Sequence, residues 1–210
     1  YYKLVDALNH CQHPKISLGK ISPEIVGGAT PTRGDDELYT DSGIKFLRIM
    51  NITPNGIDLN DVNYIRDSVH NGELKRSQLA ANDVLMTITG RVGTAAVVPQ
   101  DILPANINQH IVRLRIQYPD CLPEYLAIYL NSSVGTALSN RGVTGGTRIA
   151  LDYEVVRKLQ IPVPEKETQQ RIIAEAERRR VEAHRLHSEA GQAWEAAKAN
   201  FEKSLLERRD

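Results

Sequence analysis

The chain has 210 residues, of which 41% are hydrophobic and 25% are charged, with 26 basic and 26 acidic side chains. This composition is typical of a globular protein of one or two domains. It argues against a membrane-spanning protein, because no run of about 18 apolar residues occurs. The zero net charge argues against a simple electrostatic binder of nucleic acids. With only Cys11 and Cys121, no disulfide scaffold is expected, and we predict free thiols in a cytoplasmic protein.

The first three quarters of the chain have the pattern of short strands and loops, because Gly and Pro recur up to about residue 164. Strands are predicted at residues 43–50, 83–89, 95–98 and 111–116. Helices are predicted at residues 123–131 and 152–159, the second capped by Asp152. Without a repeating βαβ pattern, this predicts an α+β fold with a mixed sheet over residues 1–163. Arg113 and Arg115 alternate along the last predicted strand, and we expect them on a solvated face.

The last quarter of the chain has the pattern of one long helix. After Pro164 no further Pro occurs, and Pro suits the first turn of a helix. The sequence predicts a helix from about 165 to 208, roughly 65 Å long, which forms a second domain over residues 164–210.

This helix carries two columns of residues that repeat every seven positions, a period typical of supercoiling against a partner helix. The alternative is a solvated helix lying on its own domain. The residues predicted to form the pairing seam are Ile173, Ala176, Ala183, Ala190, Trp194, Ala197 and Phe201.

No motif for catalysis is found. The Gly-Arg-Val-Gly run at residues 90–93 lacks the third glycine of a dinucleotide site and the Gly-Lys-Ser/Thr of a phosphate-binding loop, so it is interpreted as a turn. No metal-ligand spacing and no Asn/Asp-Pro-Pro-aromatic methylation motif occurs. We therefore expect no catalytic residues, no metal and no cofactor in these residues.

Charge is unevenly distributed in spite of the neutral total. Residues 86–115 contain one acid, Asp101, and residues 131–151 contain none. We interpret these as two basic loop regions on a balanced domain.

Six sequence elements, in order, resemble the specificity subunits of type I restriction-modification systems. They are Gly-Gly-Ala-Thr-Pro at 27–31, the segment around 43–52, residues 79–99, Asn-Gln-His at 108–110, Gly-Gly-Thr at 145–147, and Ile-Pro-Val-Pro at 161–164 with the Gln pair at 169–170. The resemblance covers nearly the whole chain.

This resemblance implies a function. Such subunits carry two recognition domains that each read half of a bipartite site in double-stranded DNA. Their long helices pair antiparallel as a coiled coil and dock methyltransferase subunits, and the complex can recruit a translocating nuclease subunit. This chain has one domain and one helix, so its partner is a second recognition domain or a second copy of itself.

Loops that read DNA need hydrogen-bond donors and acceptors, with Arg suited to guanine and Asn or Gln suited to adenine. Asn108 and Gln109 can alternatively bridge backbone groups in a turn, and Thr30-Pro31 is interpreted as structural. The candidate DNA-binding residues are Thr32, Arg33, Thr87, Thr89, Arg91, Asn108, Gln109, His110, Arg141, Thr144, Thr147 and Arg148.

Three hypotheses follow. The first is a non-catalytic, sequence-specific DNA recognition module of a methyltransferase complex. The second is the C-terminal specificity domain of a fused single-chain restriction-methylation enzyme. The third, which rests on the seven-residue repeat alone, is a coiled-coil adaptor without DNA binding.

Overall fold

The computed structural model describes residue 6 and residues 10–31, 38–141, 143–144 and 150–206, with only the backbone at 143–144. The chain divides into two compact units, residues 1–170 and 171–210. The described strands, in chain order, are β1 Lys15–Ser17, β2 Glu24–Gly27, β3 Tyr39–Thr40, β4 Ile44–Leu47, β5 Ile52–Thr53, β6 Gly56–Ile57, β7 Asn63–Ile65, β8 Val84–Thr87, β9 Ala95–Val97, β10 Ala105–Ile107, β11 Ile111–Arg115, β12 Val143–Thr144, β13 Ala150–Leu151 and β14 Gln160–Pro162. The described helices are α1 Leu18–Ile21, α2 Asp67–Asn71, α3 Pro123–Asn131, α4 Ser133–Arg141, α5 Tyr153–Lys158 and α6 Lys166–Leu206.

Two four-stranded sheets form the centre of the first unit. In one, with the order β10-β4-β7-β3, β10 runs parallel to β4 and the other pairs are antiparallel. The other, with the order β2-β11-β8-β9, is antiparallel throughout. Because β10 and β11 are consecutive, the chain passes from one sheet to the other through residues 108–110. The mixed sheets and the long terminal helix confirm the predicted α+β class, while the pairing of that helix stays a prediction.

The alternation of side chains along β4 explains how the first sheet buries two faces. Ile44 and Phe46 face one side and pack with Val69 and other apolar residues. Leu47 faces the other side, in a buried cluster that includes Leu85 of the second sheet. The cluster that contains Leu47 and Leu85 joins the two sheets through apolar contacts. Burial of apolar surface is the main contribution to the stability of such a core.

The predicted elements are found close to their expected positions. The four predicted strands correspond to β4, β8, β9 and β11, each shorter than expected, and α3 has its predicted bounds. Strand β4 has half of its predicted length, because residues 49–51 form a 3-10 turn. Asp152 caps α5, since its Oδ1 accepts a hydrogen bond from the Glu154 backbone N–H at 2.8 Å. The long helix is α6, Lys166–Leu206.

One prediction is wrong in part: the basic region at residues 131–151, expected as loop, contains helix α4. Ser132 starts this helix, because its Oγ accepts a hydrogen bond from the Gly135 backbone N–H at 3.1 Å. Gly135 lies so close to α3 that an added Cβ would stand 2.3 Å from the Tyr129 carbonyl oxygen. The helix depends on this close approach, which its polar sequence does not reveal.

The predicted solvated face at Arg113 and Arg115 is wrong for Arg113 and holds only in part for Arg115. The Arg113 side chain is buried and donates from Nη1 to the Gln78 carbonyl at 2.7 Å. Arg115 is partly exposed and donates from Nε and Nη2 to the two carboxylate oxygens of Asp83, each at 2.9 Å. Glu24 lies beside both guanidinium groups, at 3.3 Å from Arg113 and 4.0 Å from Arg115. The 75–78 segment that covers this face of β11 explains why Arg113 is buried.

The first and last strands of the first unit lie side by side, because β1 pairs antiparallel with β14. Beyond β14, Gln169 in the first turns of α6 is fully buried. Its side chain accepts from the Leu122 N–H at 2.9 Å and donates to the Asp120 and Pro164 carbonyls at 2.6 and 2.7 Å. These bonds tie the start of α6 to the 120–122 turn.

The second unit continues helix α6. Ion pairs such as Arg185 with Glu182 and Glu189 lie on its surface. The large apolar side chains of Trp194 and Phe201 are each 64% exposed. Within the described residues, no helix is both long and apolar enough to cross a membrane.

Candidate nucleic-acid interface

Several turns of the first unit meet where strands of both sheets end, and we call this region the loop end (residues 28–31, 48–51, 88–94 and 108–110). The backbone joins the turns directly. The Asn108 N–H donates to the Leu47 carbonyl at 3.0 Å, and the Gly28 N–H donates to the Ile111 carbonyl at 3.0 Å. The Ile88 N–H donates to the His110 carbonyl at 3.0 Å, so turns that are distant in sequence form one surface.

The turn between β8 and β9 presents Arg91. Gly90 and Gly93 have φ values of 64° and 88°, which suit glycine and fold the turn tightly. Thr87 is fully buried and accepts from the Thr94 N–H at 3.1 Å, so its hydroxyl braces the turn from inside. Arg91 is exposed at the tip of the turn.

The turn at residues 108–110 presents Gln109 and His110. Asn108 is buried, and its Oδ1 accepts a hydrogen bond from the His110 N–H at 3.1 Å. This is the alternative given above, in which Asn108 bridges backbone groups within a turn. Gln109 is exposed and its Oε1 accepts a hydrogen bond from the Thr30 hydroxyl. The Nδ1 of His110 lies 2.9 Å from the Thr89 hydroxyl. These side chains connect three turns of the loop end.

Gly27, at the end of β2, and Gly28, directly after it, both make close contacts. A Cβ added to Gly28 would stand 2.2 Å from the carbonyl oxygens of Ile107 and Asn108, and one added to Gly27 would overlap the Tyr153 hydroxyl. The approach at Gly28 is too close for any side chain, because its neighbours are backbone oxygens, whereas the exposed Tyr153 side chain can rotate away from a Cβ at position 27. Gly28 of the 27–31 motif is therefore required for packing at the loop end.

Arg141 ends α4, and β12 and β13, which pair antiparallel, follow. A bridge between Thr89 and Ala150, with a 2.8 Å hydrogen bond from the Leu151 N–H to the Ile88 carbonyl, joins β13 to the loop end. Arg141 is exposed. Thr144 is described only by its backbone, and the predicted residues Thr32, Arg33, Thr147 and Arg148 lie outside the described residues.

The two ends of the second sheet differ in charge. At the end away from the turns, Arg113 and Arg115 are neutralised by Asp83 and Glu24. Among the described residues, Arg91 and Arg141 form no ion pair. The neutral total therefore conceals positive side chains at the loop end that remain available to an anionic ligand.

Sequence reasoning missed one part of this surface, the turn Ile49–Asn51 that follows β4. A Cβ added to Gly90 would stand 3.0 Å from Cδ1 of Ile49, so the two turns touch. No local sequence signal marks this contact, because the two residues are far apart along the chain.

No group of three or more His, Cys, Asp or Glu side chains among the described residues is arranged to hold a metal ion. Burial raises the pKa of the Cys121 thiol to about 12, so this cysteine is protonated at neutral pH and is a poor nucleophile.

Comparison with known proteins identifies the family. Residues 18–175 match the model of the type I restriction modification DNA specificity domain. Since the match spans most of the chain, the protein belongs to this family. The EcoBI specificity subunit of Escherichia coli, a type I restriction enzyme component, is 29% identical over 144 residues, which are 69% of this chain and 29% of the relative. The matched segment therefore spans less than a third of the length of that relative.

Solved structures share the fold. A chain from a study of complex assembly and conformational transition of the type I restriction-modification system has a TM-score of 0.68 and 19% identity, over 97% of this chain and 50% of that chain. The HsdS subunit from Thermoanaerobacter tengcongensis has a TM-score of 0.56 and 17% identity, over 79% of this chain and 36% of its own. The S subunit from M. genitalium has a TM-score of 0.55 and 15% identity, over 80% and 38%.

Proposed function

We propose that this chain is the sequence-specific DNA recognition module of a type I restriction-modification system and reads one half of a bipartite site. The observation that carries the proposal is the meeting of three polar turns at the loop end, where Arg91 and Gln109 are exposed. An arginine can donate two hydrogen bonds to guanine, and a glutamine can pair with adenine, in the major groove. Membership of the specificity domain family supports the same role.

The residues at the loop end take different parts in this proposal. Arg91, Gln109, His110 and Arg141 are exposed or partly exposed and contact bases or phosphates. Thr87 and Asn108 hold the 88–94 and 108–110 turns in place and do not contact DNA. Both are buried, and their side chains accept hydrogen bonds from backbone N–H groups of those turns. Thr32, Arg33, Thr147 and Arg148, which lie outside the described residues, and Thr144 keep their predicted role as DNA-binding residues in this proposal.

The partners are the second part of the proposal. Helix α6 pairs antiparallel with the helix of a second recognition domain or a second copy of this chain, and the paired helices dock methyltransferase subunits. Catalysis is supplied by those subunits and, when recruited, by a translocating nuclease subunit. The assembly acts in the cytoplasm, where the DNA is.

A genome-wide methylation map tests the proposal. Deletion of the gene should remove methylation from one bipartite motif in the host genome, and complementation should restore it. An unchanged map in every motif would contradict the proposal. If the purified chain paired through its helix but showed no sequence-specific DNA binding in its complex, the coiled-coil adaptor would replace it.

Replacement of Arg91 tests the surface itself. In the complex, Arg91→Ala should weaken binding to the mapped motif about tenfold to a hundredfold, because one base or phosphate contact is lost. The matched control is Arg76→Ala, which removes the same charge from an exposed position near the opposite end of the second sheet. Fluorescence anisotropy with motif and scrambled duplexes measures both variants. Equal losses for the two variants would indicate general electrostatics and contradict the role of Arg91.

A further inference from the structure

The turn Ile49–Asn51, which follows β4, belongs to the loop end, although it carries none of the predicted DNA-binding residues. It lies against the Gly90 turn, with Cδ1 of Ile49 3.0 Å from the position of an added Gly90 Cβ. Leu47, two residues before Ile49, accepts a hydrogen bond from the Asn108 N–H. The turn thus stands beside both the Arg91 turn and the Asn-Gln-His turn.

Asn51 holds this turn in one conformation. It is 2% exposed, and its Oδ1 accepts from the Arg48 N–H at 2.8 Å. Its Nδ2 donates to the Asp58 and Asp61 carbonyls at 2.9 and 3.2 Å. The Arg48 guanidinium lies 3.0 Å from the Asp61 carboxylate and compensates its charge. Met50, in the middle of this turn, is therefore presented from a fixed backbone.

Met50 is an apolar side chain that is 49% exposed, whereas the other exposed side chains described at the loop end, such as Arg91 and Gln109, are polar. An apolar side chain cannot donate to base edges or phosphates. Among the groups that base pairs display in the major groove, the one apolar group is the C5 methyl of thymine. We propose that Met50 reads thymine, with its side chain in contact with the C5 methyl of a thymine in the half-site. This inference rests on the proposed DNA-recognition function.

Partial burial favours a contact with a base edge over insertion between base pairs. About half of the Met50 surface is covered by the protein, so only the outer part of the side chain can reach the DNA. A wedge that unstacks two base pairs needs most of the side chain to project. If Met50 were inserted between base pairs, the affinity for DNA would not depend on the thymine methyl group. Removal of that methyl therefore distinguishes the two modes of contact.

The experiment is a double-mutant cycle in the assembled complex. The chain is purified with its co-expressed methyltransferase subunits, and the probe is a duplex that carries the motif from the methylation map. Thymines of the half-site are replaced one at a time by uracil, which removes only the methyl group. Wild type, Met50→Ala and Met50→Leu are compared by fluorescence anisotropy on each duplex and on a scrambled duplex.

One uracil should weaken wild-type binding about fourfold, the effect of one buried methyl group. The same uracil should leave Met50→Ala unaffected, while Met50→Leu should retain the discrimination. Equal sensitivity of wild type and Met50→Ala to every uracil would overturn the inference, and so would a half-site without thymine. If the wild type bound motif and scrambled duplexes alike, the proposed function would fail first. If it bound the motif while Met50→Ala bound equally well, the inference alone would fail.

Discussion

Arg113 and Arg115 stand two residues apart on β11, yet their surroundings give them different properties. Burial lowers the pKa of the Arg113 guanidinium, whereas the hydrogen bond to Asp83 raises the pKa of Arg115. Asp83 is itself 2% exposed and also accepts from the Ala80 N–H at 2.8 Å. A buried charge is stable only with its partners in place, and Asp83 is the buried carboxylate of this cluster, whereas Glu24 is partly exposed.

Removal of that carboxylate should be costly. Asp83→Asn should lower the free energy of unfolding by about 3 kcal/mol, because Arg113 would remain buried with less compensation. Asp101→Asn is the matched control, since it removes one carboxylate from an exposed position and should change stability little. Chemical denaturation of the two variants measures the difference, and similar unfolding midpoints would contradict the assigned role of Asp83.

Gly28 shows how a missing side chain shapes the loop end. Gly28→Ala should destabilise the fold by about 2 kcal/mol, because its Cβ would stand 2.2 Å from two backbone oxygens that cannot move independently. The shift would displace Gln109 and His110, so specific DNA binding should fall as well. The control is Gly191→Ala on α6, where nothing lies within 4 Å of the added Cβ. Thermal unfolding that ranked the variants the other way would refute this.

At the scale of elements, the start of α6 is held by Gln169. Its amide satisfies one N–H and two carbonyl groups that would otherwise be unpaired at the 120–122 turn and at Pro164. Gln169→Leu should therefore lower the free energy of unfolding by about 2 kcal/mol, since leucine fills space but leaves these groups unsatisfied. Gln170→Leu makes the same change at an exposed position and should be neutral. Denaturation curves that coincide would exclude the role of Gln169.

Local sequence pattern predicts some secondary-structure elements of this protein and misses others. Strands β8 and β11 have apolar runs that identify them in the sequence. Strands such as β10 and β14 have only three residues and pair with partners distant in the chain, so no local period reveals them. The same holds for α4, whose polar sequence forms a helix by docking on α3 through Gly135.

At the scale of the whole molecule, α6 is the element for which we propose a partner helix, because it exposes large apolar side chains such as Trp194 and Phe201. Ala183→Leu and Ala190→Leu should weaken the proposed helix pairing about tenfold, because larger side chains keep two closely packed backbones apart. The first unit should remain folded. Analytical ultracentrifugation of the complex measures the pairing and circular dichroism checks the fold.

Gln192→Leu is the control for this prediction, because it adds leucine to the same helix outside the repeating columns. It should leave pairing unchanged. Wild-type affinity in Ala183→Leu and Ala190→Leu would contradict a tightly packed seam along the alanine column.

The sequence by itself determined the α+β class, the long terminal helix and the family, because apolar period, Gly and Pro placement and short motifs are local properties of the chain. The turns at residues 90–93 and 108–110 were also visible there. Only the tertiary structure decided which side chains share a surface. It buried Thr87, Asn108 and Arg113, and it brought Ile49 against Gly90. These outcomes depend on packing between strands that are distant in sequence, and burial and partners follow from that packing alone.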